Sequence, residues 1–360
     1  MIFKNEKNKI DKSEDDFFYS LIILLSVILL FTIIFAVTFG SVKIQPSEVW
    51  GIIVNKIKEF SSNSMENAPL YQIVWNVRLP RVLLGVVVGA GLAVVGVAMQ
   101  ALVQNPLADP YILGVSSGAS VGATLFVLTG VFASFGSLGI SFFAFFGALA
   151  SSSLVYFVSK IGGRPTPLKF VLAGTAIGSL FSSLTSFIVL RSPNVEGVKS
   201  VMFWLMGSLA GAKWQDLRLP TLAVIIGIII LILQYRNLNI LLMGDDTATT
   251  LGVNLAVTRK FLMIFTSILT AIIVCISGTI GFVGIMIPHI VRYMVGSNHK
   301  KLLPVSALVG SIFLVWADVI ARTIGSPGEI PIGIITSLIG APFFLWLMVK
   351  GSNSFGGSKR

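Results

Sequence analysis

Apolar residues in this chain gather into long uncharged runs, not into the alternating or 3.6-residue stripes of a soluble fold. Residues 17–39 form the first run, 23 positions without a charge, and about 20 suffice to cross a bilayer. The run is too long for a signal-peptide core and lacks a small-residue cleavage site, so it predicts an uncleaved span. A second run, rich in glycine and valine, covers 82–103. Residues 110–159 carry no charge at all, too many for one helix. The Gly130–Gly136 region divides them into spans at 113–130 and 138–159. Further runs lie at 170–190 and 219–235, and residues 261–291 again exceed one span. Gly278, Gly281 and Gly284 mark the turn there, giving spans at 261–277 and 279–295, with the last two at 303–321 and 331–349. The pattern predicts an all-α integral membrane protein with about ten transmembrane helices in a compact bundle.

Between the runs lie polar segments at 40–80, 191–218 and 236–260. Pro46-Ser47-Glu48 looks like the start of a short helix, with Ser47 as its cap. Residues 1–16 and 351–360 read as polar tails around a single transmembrane domain, 17–350. Glycines repeat every four residues within spans, at Gly85 and Gly89, at Gly114, Gly118 and Gly122, and at Gly174 and Gly178. Such small-residue faces let helices approach closely in lipid.

Composition narrows the class. Of 360 residues 55% are hydrophobic and 11% charged, against about 25% charged in a soluble protein. A soluble enzyme, a secreted disulfide scaffold and a disordered chain are excluded. The formal charge is +11, from 26 Lys and Arg against 15 Asp and Glu. In a membrane protein that excess decorates cytoplasmic loops, and no nucleic-acid partner is expected. With the N-terminus inside, the segments 1–16, 160–169, 236–260, 292–301 and 350–360 are cytoplasmic and hold 16 of the 26 basic residues.

Chemistry-bearing groups are scarce. Cys275 is the only cysteine and two histidines occur, so no metal ligand set has the right spacing. No G-x-x-x-x-G-K-[ST] loop is present, and any ATP must be handled by another chain. No catalytic residue, metal or cofactor is expected on this one. Asp109 sits in Asn105-Pro106-Leu107-Ala108-Asp109-Pro110, where two prolines impose a broken, non-helical element. Asp318 and Arg322 are four apart, on one helical face. An ion-coupled carrier would want more buried carboxylates than these, and an intramembrane enzyme would need a side-chain constellation that the spans lack.

Three stretches resemble the permease subunits of type II ATP-binding-cassette (ABC) importers, the FecCD family of iron-siderophore, haem and cobalamin uptake. The first runs from Arg78-Leu79-Pro80-Arg81 through Met99-Gln100-Ala101-Leu102-Val103-Gln104-Asn105-Pro106 to Leu113-Gly114-Val115-Ser116-Ser117-Gly118. The second is Gly278-Thr279-Ile280-Gly281-Phe282-Val283-Gly284 followed by Pro288-His289-Ile290-Val291-Arg292. The third is Ala317-Asp318-Val319-Ile320-Ala321-Arg322, with Glu329-Ile330-Pro331-Ile332-Gly333 and Gly340-Ala341-Pro342. They occur in family order over about residues 45–350.

The resemblance implies the ten-helix architecture of the cobalamin importer permease and a non-enzymatic chain working by alternating access. It further implies a bacterial inner or plasma membrane location. The implied partners are a second permease copy or a paralogous permease, two cytoplasmic ATPase subunits holding ATP and Mg, and an extracytoplasmic substrate-binding protein. Arg78, Arg81 and Arg322 match outward-facing positions that dock the binding protein. Gly244, Asp245, Asp246, Leu251 and Gly252 match the coupling segment seated in the ATPase, although Asp246 and Thr249-Thr250 stand where many members have Glu and Ala–Arg. Asn105 and Leu107 match positions at the cytoplasmic gate, and Pro165-Thr166-Pro167-Leu168 its second segment. An iron(III)–siderophore is the expected cargo, with haem or cobalamin as the alternative.

The charge distribution makes the topology testable. In a Cys275→Ser background, a cysteine at Ser200 should react with an impermeant thiol reagent added to intact cells, and one at Gly244 should not. The reverse pattern would invert the assignment.

Overall fold

The computed structural model describes residues 2–40, 44–58, 69–130, 138–163, 166–325 and 328–355. Its elements are α1 (Ile2–Thr38), α2 (Pro46–Lys58), α3 (Pro69–Tyr71), a π-helical turn (Gln72–Arg78), α4 (Leu79–Val103), a 3-10 turn (Pro110–Leu113), α5 (Val115–Thr129) and α6 (Gly139–Lys160). They continue with α7 (Pro167–Arg191), α8 (Val195–Leu205), α9 (Trp214–Leu233), α10 (Tyr235–Leu241), α11 (Asp245–Thr250), α12 (Leu255–Ser277), α13 (Val283–Val295), α14 (His299–Ile324) and α15 (Ile332–Phe355). Among the described residues, eight helices are long and apolar enough to cross a membrane, and α5 and α13 are shorter apolar helices. Together they occupy the ten expected places.

Several boundaries differ from the sequence reading, each for a local reason. The polar tail 1–16 is helical from Ile2 and continuous with the first span, since no glycine or proline interrupts 2–38. Ser47 lies inside the first turn of α2 and is not its cap. Glu48 instead accepts the Gln45 N–H at 3.2 Å, one residue before the helix. Residues 236–260, expected as loop, hold α10, α11 and the first turn of α12. The expected tail 351–360 continues α15 to Phe355, and residues 356–360 lie outside the described ones, as does most of the expected break at 130–136.

The α4 helix is the axis of the bundle. It packs against α14, α12, α13 and α9, and 83% of its most apolar window is buried. α5 and α6 pair closely and α7 lies against both. Glycines set these distances. A methyl group at Gly89 would overlap the Gly310 carbonyl oxygen, one at Gly96 that of Gly284, and one at Gly118 that of Gly147. Close backbone approach of this kind maximises dispersion contacts where lipid supplies no hydrophobic drive. Gly178, expected to belong to such a face, meets only the Ser117 hydroxyl at 3.8 Å.

Two segments enter the bundle without α-helical hydrogen bonding, residues 104–114, which include the 3-10 turn, and 278–282. The first segment closes its backbone on itself and on α4, with the Asn105 N–H on the Gln100 carbonyl and the Ala108 N–H on the Asn105 carbonyl, both at 3.1 Å. One side chain links it to the second. Tyr111 donates its hydroxyl to the Ile280 carbonyl and accepts from the Ile280 N–H, both at 3.0 Å. Gly278 and Phe282 adopt positive φ values of 65° and 68°, which let the chain turn from α12 into α13. The expected helix start at 279 therefore moves to Val283.

The crowded crossing yields a prediction. Gly96→Val should destabilise the detergent-solubilised protein by about 1–3 kcal/mol or more, from overpacking. Gly178→Ala, with no crowded neighbour, should stay within about 0.5 kcal/mol of the parent. Thermal unfolding of the two variants side by side measures the difference, and equal shifts would refute the packing argument.

Candidate functional site

Ionic groups gather at opposite ends of the bundle, and each cluster ties three elements together. At one end the chain enters α4 through the π-helical turn, and Pro80, just after it, supplies no N–H to the helical turn that precedes α4. The entry places Arg78 and Arg81 beside the last turn of α14. Arg78 Nη1 donates to the Val37 and Thr38 carbonyls, both at 2.9 Å, and Arg322 Nη2 donates to the Ala36 carbonyl at 2.7 Å. Two guanidinium groups thus satisfy three carbonyls at the C-terminus of α1, where the helix end carries partial negative charge.

Arg81 faces the other way. Its Nε and Nη2 each lie 2.9 Å from Asp318 Oδ1, and its Nη1 lies 2.7 Å from Glu329 Oε1. Asp318 Oδ2 is also 3.4 Å from Arg322 Nε. The Asp318–Arg322 pairing expected from spacing is real but secondary, and Arg81 on another helix is the closer partner. Side-chain exposure is 8% for Arg81, 6% for Arg322 and 2% for Asp318, against 40% for Glu329. Arg78, Arg81 and Arg322, expected on the outer side, lie together at one end, buried, with their guanidinium groups turned onto protein partners.

At the opposite end, Gly244 (φ 92°) starts α11, and Asp245 and Asp246 occupy its first turn, where the N–H groups favour anions. Arg259, buried near the start of α12, holds Asp245 with Nη2–Oδ1 at 2.6 Å and Nη1–Oδ2 at 2.9 Å. Gln104 donates from Nε2 to Asp245 Oδ1 and to the Leu241 carbonyl, both at 2.9 Å. Gln104 itself caps α4 in the left-handed region at φ 53°. Burial works against ionisation of Asp245, but hydrogen bonds from Arg259 and Gln104 outweigh it and hold its carboxyl below the usual carboxylate range. The contribution of that charge is complete at neutral pH and is lost only as pH falls through the lowered value.

Gly252 (φ 81°) ends α11, and the Val253 N–H closes back on the Ala248 carbonyl at 3.0 Å. Ala248 turns inward while Leu251 is exposed. The Asn105 side chain accepts the Leu107 N–H at 2.9 Å in a tight turn directly after Gln104, with Leu107 exposed. A cleft of about 690 Å³ runs between α11 and the start of α12, lined by Thr166, Asp245, Asp246, Thr249 and Arg259 among others. The structure thus brings the expected coupling residues, the Asn105–Leu107 turn and Thr166 to one end. Pro165 lies outside the described residues.

Gln104 and Arg259 were not singled out from sequence. The only signal for Arg259 is a basic residue one turn into an apolar span, and nothing in its neighbours specifies a partner 14 positions earlier.

Comparison with known proteins agrees with this architecture. The sequence matches the FecCD transport family over residues 28–350. It is 40% identical to the Fe(3+)-citrate import system permease protein of Bacillus subtilis, over 85% of this chain and 92% of that protein. Identity to the cobalamin import system permease protein of Halobacterium salinarum is 44%, over 77% of this chain and 73% of the other. Identity to the hemin transport system permease protein of Yersinia pestis is 39%, over 80% and 86%. A solved inward-facing structure of a metal-chelate type ABC transporter matches with a TM-score of 0.78 and 34% identity, covering 92% of this chain and 99% of that one. The chain belongs to the FecCD transport family, a family of multi-pass membrane permeases.

The node around Asp245 predicts how α11 is held. Arg259→Ala should raise amide hydrogen exchange across 244–252 by about ten- to a hundred-fold, as loss of a charge-assisted pair of about 1.5–3 kcal/mol implies. Arg259→Lys should restore part of the protection. Unchanged exchange in the alanine variant would show that α11 is held by other contacts.

Proposed function

As a member of the FecCD transport family, the chain is, we propose, the membrane-spanning permease of a bacterial ABC importer that moves an iron(III)–siderophore complex into the cytoplasm. It sits in the inner or plasma membrane with both termini cytoplasmic. It acts as a dimer with a second copy or a paralogous permease, on two ATPase subunits that hold ATP and Mg. An extracytoplasmic binding protein delivers the cargo. Haem or cobalamin is the alternative cargo within the same reading.

One observation carries it: a row of hydroxyls along an uncovered face of α7. Thr175, Ser179, Ser182 and Ser186 on α7 are exposed and spaced four, three and four apart, so they share one face. A cavity of about 290 Å³ joins this face to Ser116, Ser117 and Ser120 of α5 and to Gly174. Hydroxyls gain nothing from lipid, and a polar row of this kind suits a watered pathway between two permease copies. Weak, repeated hydroxyl contacts suit a metal already wrapped in an organic ligand, which needs no protein ligands of its own.

The two ionic ends fit the same reading. α11, fixed through Asp245 to both α4 and α12, is a surface helix whose displacement by an ATPase would reach the Asn105–Leu107 turn directly through Gln104. Residues Gly244, Asp245, Asp246, Leu251 and Gly252 form that coupling segment, and Asn105 and Leu107 the gate. The cluster of Arg78, Arg81 and Arg322 marks the extracytoplasmic docking end. An ion-coupled carrier is the weaker reading, since Asp318 is committed to Arg81 and Arg322 and Asp109 caps the 3-10 turn through the Tyr111 N–H.

The test is reconstitution in vesicles with the ATPase pair and the binding protein. ATP-dependent uptake of a ferric siderophore is expected, with hydrolysis but little uptake after Leu251→Asp with Gly252→Pro. Uptake driven by an ion gradient without ATP would overturn the importer reading. Uptake of cobalamin or haem, with ferric siderophores excluded, would reassign the cargo alone.

A further inference from the structure

We propose that Glu329 is an internal stand-in for a carboxylate of the binding protein. It occupies Nη1 of Arg81, the arm that Asp318 does not take, until an acidic residue of the docking partner displaces it. The proposal rests on reading the arginine end as the docking face.

The cluster contains three cations, Arg78, Arg81 and Arg322, and two anions, Asp318 and Glu329, leaving one net positive charge. The cations are not equally available. Arg78 and Arg322 turn donors onto the α1 carbonyls of Ala36, Val37 and Thr38. Arg81 gives Nε and Nη2 to Asp318 and keeps only Nη1 for Glu329. The two anions are just as unequal. Asp318 is 2% exposed and shared between two arginines, so removing it would strand buried positive charge. Glu329 is 40% exposed and has no second basic partner among the ion pairs of this cluster. An ion pair with one solvated member is weak, and exchanging one carboxylate for another at Nη1 preserves both the hydrogen bond and the charge.

The arrangement has a consequence for recognition. With Glu329 in place, the accessible member of a net-positive cluster is an anion. An acidic surface approaching without a correctly placed carboxylate meets like charge. A partner whose carboxylate reaches Nη1 releases Glu329 to water and leaves the buried pairing of Arg81 with Asp318 untouched. Specificity by a built-in competitor is a way of raising discrimination without adding contacts, and it accounts for buried arginines at a docking face.

The experiment titrates the binding protein that supports uptake in the vesicle assay onto the full complex in nanodiscs. Glu329→Gln should tighten its affinity about three- to tenfold at low salt, and the gain should shrink near 1 M salt, where the screening length falls to about 3 Å. Glu329→Asp should behave like the parent. The paired change Arg81→Gln with Glu329→Gln, which leaves Asp318 paired with Arg322 and strands no buried charge, should weaken binding at least tenfold, with assembly verified by thermal unfolding. If the paired change weakens binding and Glu329→Gln fails to tighten it, the stand-in role is overturned and the docking face survives. If neither change alters affinity, the docking face lies elsewhere and both readings fall.

Discussion

Backbone groups in lipid have no water to fall back on, and every feature of this bundle follows from where α4 is allowed to lie under that constraint. The helix is almost wholly covered, and its neighbours come so close that glycine alone fits at the Gly89–Gly310 and Gly96–Gly284 crossings. Side-chain packing then replaces the hydrophobic drive that lipid removes. Because α4 is the axis, its two ends carry the ionic clusters. Its entry delivers Arg78 and Arg81 to the last turns of α1 and α14, and its exit delivers Gln104 to α11.

The same constraint explains the two interrupted segments. Residues 104–114 and 278–282 leave α-helical hydrogen bonding inside the bundle, where unpaired amides would be costly. They are tolerated because the first closes its backbone in local turns and its Tyr111 hydroxyl serves both polar groups of Ile280 in the second. The interruption before α5 brings Tyr111, Ile112 and Gly114 to the wall of the hydroxyl-lined space beside α7.

Charge is used differently at the two ends. At the arginine end burial dominates, and Asp318 holds two cations in place with almost no access to water. Removing one member of such a cluster costs a fold far more than replacing the whole of it by apolar side chains. At the α11 end the pairing of Asp245 with Arg259 is half open, with Arg259 buried and Asp245 facing solvent.

Uncharged runs determined the membrane class, the count of ten apolar segments and most of their positions, because a helix crossing lipid needs a length of apolar residues that nothing else in a sequence imitates. Spacing also exposed the glycine faces, the proline-broken element around Asp109 and the acidic start of α11. Side-chain partners were not legible in the same way. Arg81 spacing gives no hint of Asp318 or Glu329, 237 and 248 positions later, and nothing near Arg259 points to Asp245. Nor could sequence say that the arginines turn inward, or that Gly178 borders open space while Gly174 is crowded. Periodicity records which residues a helix needs in order to exist in lipid. Which faces then meet is settled by how closely whole helices can approach, and that is a property of the packed bundle alone.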